Sequence, residues 1–146
     1  MTLDTCFMAK VLVFVSVLLI GTPLLGQAEW NQEAALGLVN AQLSAYNQRD
    51  IEAFVMPYSD SVKVFQHPEQ LLFRGKEQFR GTYADLFGRL DSLHCEIVNR
   101  MVFSERTIID QERVTGVQNG VSFMFEAIAI YKIWDEKIQE VYFIQQ

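Results

Sequence analysis

Two carboxylates and an amide occur where strand alternation would otherwise place only apolar side chains. Residues 94–116 read as an antiparallel hairpin, one face of which would carry Asn99, Asp110 and Glu112 among hydrophobic neighbours. Burying such acids is costly unless they gain partners or protons. Crowding and desolvation raise the pKa of one carboxyl in such a pair, which would supply an acid and a base together. Asp110 and Glu112 are therefore candidate catalytic residues. The alternative is a structural network with Asn99 or with an arginine delivered from a helix.

The expected register of this hairpin follows from a turn at residues 105–106. It pairs Met101 with Asp110 and Asn99 with Glu112. Asn99 is therefore a candidate ligand-binding residue beside the two acids.

An Asn-Gly dipeptide at residues 119–120 predicts a tight primed turn into the next strand. Extending the register through it places Ala127 opposite Glu112 and Ala129 opposite Asp110. Small residues facing the acids leave room, so a cavity is expected there. The remaining candidate ligand-binding residues are Tyr46, Tyr58, Tyr83, Phe125, Ala127, Ala129 and Tyr131.

Composition limits the classes of partner. The 146 residues are half hydrophobic and carry a formal net charge of −6, with no cluster of basic residues. This argues against nucleic acid or an anionic membrane surface and favours a small hydrophobic molecule. Cys95 falls on the apolar hairpin face and is expected to be a buried structural thiol. We expect no metal and no cofactor, because the chain has no spaced Cys or His ligands and no nucleotide-binding glycine loop.

The first 28 residues have the composition of a secretory signal. Lys10 precedes an apolar run at 11–20, and small residues end the segment with Ala28 as the expected cleavage position. Gly21, Thr22 and Pro23 interrupt the run before it reaches the roughly 20 residues of a membrane span. We therefore expect a signal peptide at 1–28, a single domain at 29–146 and a secreted or periplasmic location. An uncleaved anchor is the alternative.

Periodicity predicts the order helix, helix, strand, strand, helix and four strands, which is an α+β fold with the helices on one face of a curved sheet. Asp50 is expected to cap the second helix. A last turn at 135–136 would bring Ile138, Glu140, Tyr142 and Ile144 onto the acid-bearing face, unless a bulge inverts the strand. The opposite face would form a homodimer interface through Val98, Val102, Ile128, Ile130, Val141 and Phe143.

Several segments resemble the nuclear-transport-factor-2-like superfamily, and within it the SnoaL-like and steroid-isomerase-like branch. They are Ala45–Asp50, Tyr58–Val62, Arg74-Gly75, Ile109–Gly116 and the stretch from Ile130-Tyr131 to Val141–Phe143. The resemblance implies a cone-shaped fold in which a curved, mainly antiparallel mixed sheet wraps around three N-terminal helices. It also implies a hydrophobic pocket between sheet and helices, and commonly a homodimer.

The resemblance does not carry an activity, since the superfamily hosts isomerases, cyclases, dehydratases and silent binding domains. Where steroid isomerases have a tyrosine and two acids, this chain has Gln42, His67 before a proline, and Ile130 or Tyr131. The sequence therefore leaves open whether this chain is an enzyme. His67 is a candidate base, because imidazole exchanges protons near neutral pH, or it simply ends an exposed strand.

Two functions follow as hypotheses. One is proton-transfer chemistry of the isomerase, cyclase or dehydratase kind on a small hydrophobic compound, with His67, Asp110 and Glu112 as the acid and base set. The other is a non-catalytic ligand-binding or dimeric accessory module.

Overall fold

A six-stranded sheet and three helices make up the part of the chain that the computed structural model describes, residues 30–145. The elements are α1 (Gln32–Gln48), α2 (Ile51–Val55), β1 (Tyr58–Gln66), β2 (Gln70–Arg74), α3 (Lys76–Arg89), β3 (Ser92–Ser104), β4 (Thr107–Gln118), β5 (Val121–Trp134) and β6 (Lys137–Gln145). The strand order is β2-β1-β6-β5-β4-β3, antiparallel except for the parallel pair β1 and β6. This confirms the predicted cone-shaped α+β fold.

The signal peptide predicted at residues 1–28 lies outside the described residues. None of the helices that are described is long and apolar enough to cross a bilayer.

The first two helices begin at side-chain caps. The Asn31 side chain accepts a hydrogen bond from the Ala34 amide at 3.1 Å, and Asp50 accepts one from the Ala53 amide at 3.0 Å. These caps satisfy amides that have no partner inside the helix, and they confirm the prediction for Asp50. The two helices therefore start where the sequence places them.

The most buried stripe of α1 consists of Ala35, Val39, Gln42 and Ala45. The larger apolar residues of the same helix, including Leu43 and Tyr46, are half-buried beside this stripe. One polar side chain, Gln42, is therefore held in an otherwise apolar stripe that faces the sheet.

An aromatic cluster joins the helices to the sheet. The Phe54 ring of α2 lies 4.6 Å from the Tyr83 ring of α3 and 5.4 Å from that of Phe79, centroid to centroid. Tyr58, at the start of β1, packs 4.5 Å from Phe79. The Phe54 and Phe79 rings are stacked, and the other two pairs are tilted. Aromatic rings at such separations attract each other beyond their apolar burial. The cluster fixes α3 over the sheet.

The register of β4 and β5 is the predicted one. Glu112 pairs with Ala127 and Asp110 with Ala129, without a bulge. The connecting turn has positive φ at Asn119 and Gly120, of 51° and 75°, as a primed turn requires.

Two bulges in β3 make the predicted register of the first hairpin wrong. The extra residues are Val98 and Phe103, so Asp110 pairs with Arg100, not with Met101, and Ile97 pairs with Glu112. A bulge inserts one residue and reverses which side chains face the core. Between the two bulges the face is therefore inverted.

The inversion changes which β3 residues reach the interior. Arg100 and Val102 turn inward, while Asn99 and Met101 are exposed on the outer face. Asn99 pairs with Gln111, so the predicted position of Asn99 beside Glu112 is wrong.

A bulge between β5 and β6 also inverts the last strand, and the predicted face of β6 is wrong beyond Ile138. Lys132 pairs with Glu140, and Tyr131 pairs with Val141. Val141 and Phe143 therefore face the helices, while Glu140, Tyr142 and Ile144 lie on the outer face. With Val102 also turned inward, three of the six residues predicted for a dimer interface, Val102, Val141 and Phe143, are not on that face.

Candidate active site

A cavity of about 270 Å³ lies between the inner face of the sheet and the helices α1 and α3. Aromatic and aliphatic side chains form most of its wall, among them Leu43, Leu72, Leu86, Val114 and Phe143. The lining residues differ in exposure, which distinguishes a floor from a mouth. The floor residues Gln42, Tyr58, Glu112 and Tyr131 are all buried, whereas the mouth residues Thr82, Arg89, Phe125 and Gln145 are exposed.

Among residues 30–145, Glu112 is the only acidic side chain of the cavity wall, and it is almost completely buried. Desolvation, aided by the nearby negative charge of Asp110, raises the pKa of Glu112 from its ordinary 4.5 to about 7. A hydrogen bond from the Tyr131 hydroxyl and the positive charge of Arg100 oppose this rise. Near neutral pH the carboxyl is therefore present in both forms, as a group that gives and takes protons requires.

A chain of hydrogen bonds crosses the cavity floor and ends on Glu112. Tyr58 Oη donates to Gln42 Oε1 at 3.2 Å, and Gln42 Nε2 donates to Tyr131 Oη at 3.0 Å. Tyr131 Oη in turn donates to Glu112 Oε1 at 2.8 Å. The chain connects β1, α1, β5 and β4, and it satisfies each of these buried polar groups. One carboxylate oxygen of Glu112 is thereby held in place by the protein.

Burial and the negative charge of Glu112 raise the pKa of Tyr131 and of Tyr58 well above the ordinary value. Both phenols therefore stay protonated and act as hydrogen-bond donors at the floor.

Asp110 has a different role from Glu112. It is fully buried and does not line the cavity; its two oxygens accept hydrogen bonds from Arg100 Nε and Nη2, both at 2.6 Å. Arg100 also donates to Asn40 Oδ1 at 2.5 Å. A bidentate pair of this kind satisfies a buried carboxylate. The structural network left open by the sequence is thus present for Asp110, with the arginine coming from the neighbouring strand and not from a helix.

Some of the other predicted site residues line the cavity, and the rest lie outside its wall. Six of the predicted ligand-binding residues line the cavity, namely Tyr46, Tyr58, Tyr83, Phe125, Ala127 and Tyr131. Ala129 is buried but does not line the cavity, and Asn99 lies on the outer face. His67 has an exposed side chain outside the wall, although its backbone amide donates to the Phe143 carbonyl at 2.7 Å.

Sequence reasoning missed five polar residues of the wall, namely Gln42, Gln66, Thr82, Arg89 and Gln145. Gln42 was considered only as the residue that stands where steroid isomerases have a tyrosine. A glutamine within an apolar helical stripe is itself a signal of a buried hydrogen-bond network. Arg89 had no signal beyond its position in the last turn of α3.

Within residues 30–145 no group of three or more His, Cys, Asp or Glu side chains is placed to hold a metal ion. The Cys95 thiol lines the cavity, and burial raises its pKa, so it stays in the unreactive thiol form.

Fold and cavity together define a small α+β domain that encloses a pocket between a curved sheet and its helices. The sequence matches the SnoaL-like domain family over residues 39–141, and the chain belongs to this family. No curated protein matches the chain at a significant level.

Solved structures show the same fold. An uncharacterised cystatin-fold protein from Novosphingobium aromaticivorans is 27% identical, with a TM-score of 0.68 over 76% of this chain and 97% of its own. An epoxide hydrolase of the LEH-like kind from M. tuberculosis is 13% identical, with a TM-score of 0.69 over 79% and 84%. A putative SnoaL-like polyketide cyclase from Jannaschia is 16% identical, with a TM-score of 0.65 over 77% and 85%. The fold is therefore one shared by small-molecule-binding and cyclase-like or isomerase-like proteins.

Proposed function

We propose that this chain is an exported domain that binds a small, largely apolar molecule in the cavity and exchanges a proton with it through Glu112. The observation that carries the proposal is a titratable carboxyl at the floor of an apolar cavity, with a pKa of about 7. Tyr131 donates to Oε1, and no residue between 30 and 145 donates to Oε2, so Oε2 is the oxygen that can meet a ligand. The epoxide hydrolase and the putative polyketide cyclase that share this fold support chemistry at such a site.

The reaction class proposed is proton transfer next to a carbonyl group, as in an isomerase, cyclase or dehydratase. In this scheme the ionised Glu112 accepts a proton from a carbon atom beside the carbonyl, and the protonated form returns it. The Tyr58 and Tyr131 hydroxyls each donate their single hydrogen within the floor, whereas the Gln42 side-chain amide has a second N–H. Gln42 lines the cavity, and this N–H is a hydrogen-bond donor for the carbonyl oxygen. His67 and Asp110 have no part in this proposal, because neither lines the cavity.

Hydrogen–deuterium exchange on a simple ketone tests both binding and chemistry. Butyrophenone in D₂O, followed by proton NMR, should exchange its α-hydrogens faster with the wild-type protein than with Glu112→Gln, by about 10²-fold or more. Glu126→Gln serves as the matched control, since Glu126 lies on the neighbouring strand but outside the cavity wall. Saturation-transfer NMR measures binding in the same samples. Absence of binding would overturn the whole proposal.

A non-catalytic ligand-binding or accessory module is the second candidate. The position of Asp110 favours it. Asp110 is paired with Arg100 and lies outside the wall, so Glu112 is the one carboxyl that residues 30–145 contribute to the floor. Binding of butyrophenone without Glu112-dependent exchange would support this module over the enzyme.

The proposal also includes a homodimer formed through the outer face of the sheet. Met101, Met124 and Ile144 are exposed there, with 56%, 63% and 37% of their surface accessible. Exposed apolar groups on one sheet face are typical of an interface. Sedimentation should give a dimer at micromolar concentration and a monomer for Ile144→Lys. A monomeric wild-type protein would refute this part.

A further inference from the structure

Within the described part of the chain, residues 30–145, the cavity wall has one charged side chain of each sign, and the two lie at different depths. Glu112 is buried at the floor, whereas the cationic Arg89 is exposed at the mouth. Thr82, Leu86 and Arg89 are four and three residues apart on α3, so they form one stripe along the wall. Apolar side chains separate this charged mouth from the floor.

The Arg89 guanidinium is largely free to bind a ligand. Its Nε donates to the Asp85 backbone carbonyl at 3.2 Å, and its two terminal amino groups make no hydrogen bond to any residue between 30 and 145. None of the ion pairs in that part of the chain includes Arg89. A guanidinium has five donors, so four remain for an acceptor in the cavity mouth.

The guanidinium of Arg49, and not that of Arg89, binds a backbone carbonyl at the end of α3. Arg49 Nη1 donates to the Leu90 carbonyl at 2.7 Å. Arg49 therefore satisfies this carbonyl at the helix end, and Arg89 is not needed for it.

We propose that the ligand is an amphiphilic acid: an apolar body with its carbonyl group at the floor and a carboxylate at the mouth, bound by Arg89. The inference rests on the proposed function of the same cavity. Guanidinium and carboxylate match in a two-point, charge-assisted geometry, which makes Arg89 the residue that selects acids over their neutral analogues. Thr82 and Gln145, also at the mouth, are additional hydrogen-bonding groups for the carboxylate.

A matched pair of probes tests the inference. Benzoylpropionate carries the body of butyrophenone with a terminal carboxylate, and its methyl ester has the same body without the charge. We expect the wild-type protein to bind the carboxylate about tenfold more tightly than the ester. Arg89→Gln should abolish this preference, and Arg89→Lys should keep part of it. High salt should weaken binding of the carboxylate and leave the ester unaffected.

Arg106→Gln is the control for net charge, because Arg106 is exposed in the β3–β4 turn and does not line the cavity. It should leave the preference unchanged. Equal binding of the two probes, or an unaltered preference in Arg89→Gln, would overturn the inference while binding of butyrophenone still upheld the proposed function. If neither neutral nor charged probe bound, the proposed function itself would fail.

Discussion

Replacing Glu112 with glutamine should stabilise the protein at high pH and leave its stability unchanged at low pH. The pKa of Glu112 lies at about 7 in the folded protein, against an ordinary value of 4.5. The folded state therefore binds this proton more tightly than the unfolded chain does. Between these two pH values the free energy of unfolding falls as the pH rises, because the folded state carries more protons.

The size of the effect follows from the same two values. At about 1.4 kcal/mol for each tenfold change in proton affinity, raising the pKa from 4.5 to about 7 costs the folded state about 3 kcal/mol once Glu112 is ionised. Glutamine resembles the protonated acid and still accepts the hydrogen bond from Tyr131. We therefore expect Glu112→Gln to match the wild type below pH of about 4.5 and to exceed it by about 3 kcal/mol above pH of about 7.

Urea denaturation at half-unit pH intervals measures this difference. Glu126→Gln is an informative control, since hydrogen bonds from Arg113 and Gln111 lower the pKa of the exposed Glu126. That carboxylate stabilises the folded state above its ordinary pKa, and its loss should reduce stability at neutral pH, which is the opposite sign. A stability difference for Glu112→Gln that did not vary with pH would refute the account of the floor carboxyl.

Three further substitutions test the neighbouring contacts. Tyr131→Phe removes a donor that favours the ionised Glu112, so carbon-13 NMR should show a higher pKa for that carboxyl; a value that stays near 7 would contradict the hydrogen bond. Arg100→Met leaves the Asp110 carboxylate buried without its partner, and chemical denaturation should show a loss of about 3–5 kcal/mol, whereas a loss under about 1 kcal/mol would mean that the carboxylate is not isolated. Gly116→Ala would place a Cβ atom against the Phe123 ring and 2.7 Å from the Ser92 backbone oxygen, so calorimetry should show a loss of about 1–3 kcal/mol. An unchanged melting temperature would speak against this close approach.

The central hairpin shows which structural features the sequence can predict. The β4–β5 register was predictable because an Asn-Gly turn fixes the loop, and because Arg113 and Glu126 then face each other, at 2.9 Å in the structure. Both signals are local, and no bulge lies between these strands. The position of Glu112 opposite Ala127 followed directly.

Bulges were the part that the sequence could not predict. Val98 and Phe103 are ordinary strand residues, and neither is a glycine or proline that would mark an insertion. Each bulge is stabilised by the pairing of the strands around it, which is a property of the folded sheet. The buried partner of Asp110 and the inner face of β6 were therefore not predictable from alternation alone.

The cavity floor was predictable only in part. Glu112 and Tyr131 were predicted from strand alternation, and Tyr58 was predicted only as one of several tyrosines. The connection between them depends on Gln42, which comes from another element 89 residues away from Tyr131. The deepest stripe of α1 includes Gln42 beside Ala35, Val39 and Ala45, while the larger apolar residues of the helix are only half-buried. A buried amide in such a stripe is recognisable once its burial is known.

The bulge at Phe103 makes chain length, and not residue identity, decide the electrostatics of the interior. Counted from the β3–β4 turn, Asp110 would face Met101 without that extra residue, and Arg100 would point into solvent. One inserted residue thus gives a buried carboxylate a cation without any change of side chain. When members of this family are compared, a gap of one residue in β3 is therefore as informative about the site as a substitution in it.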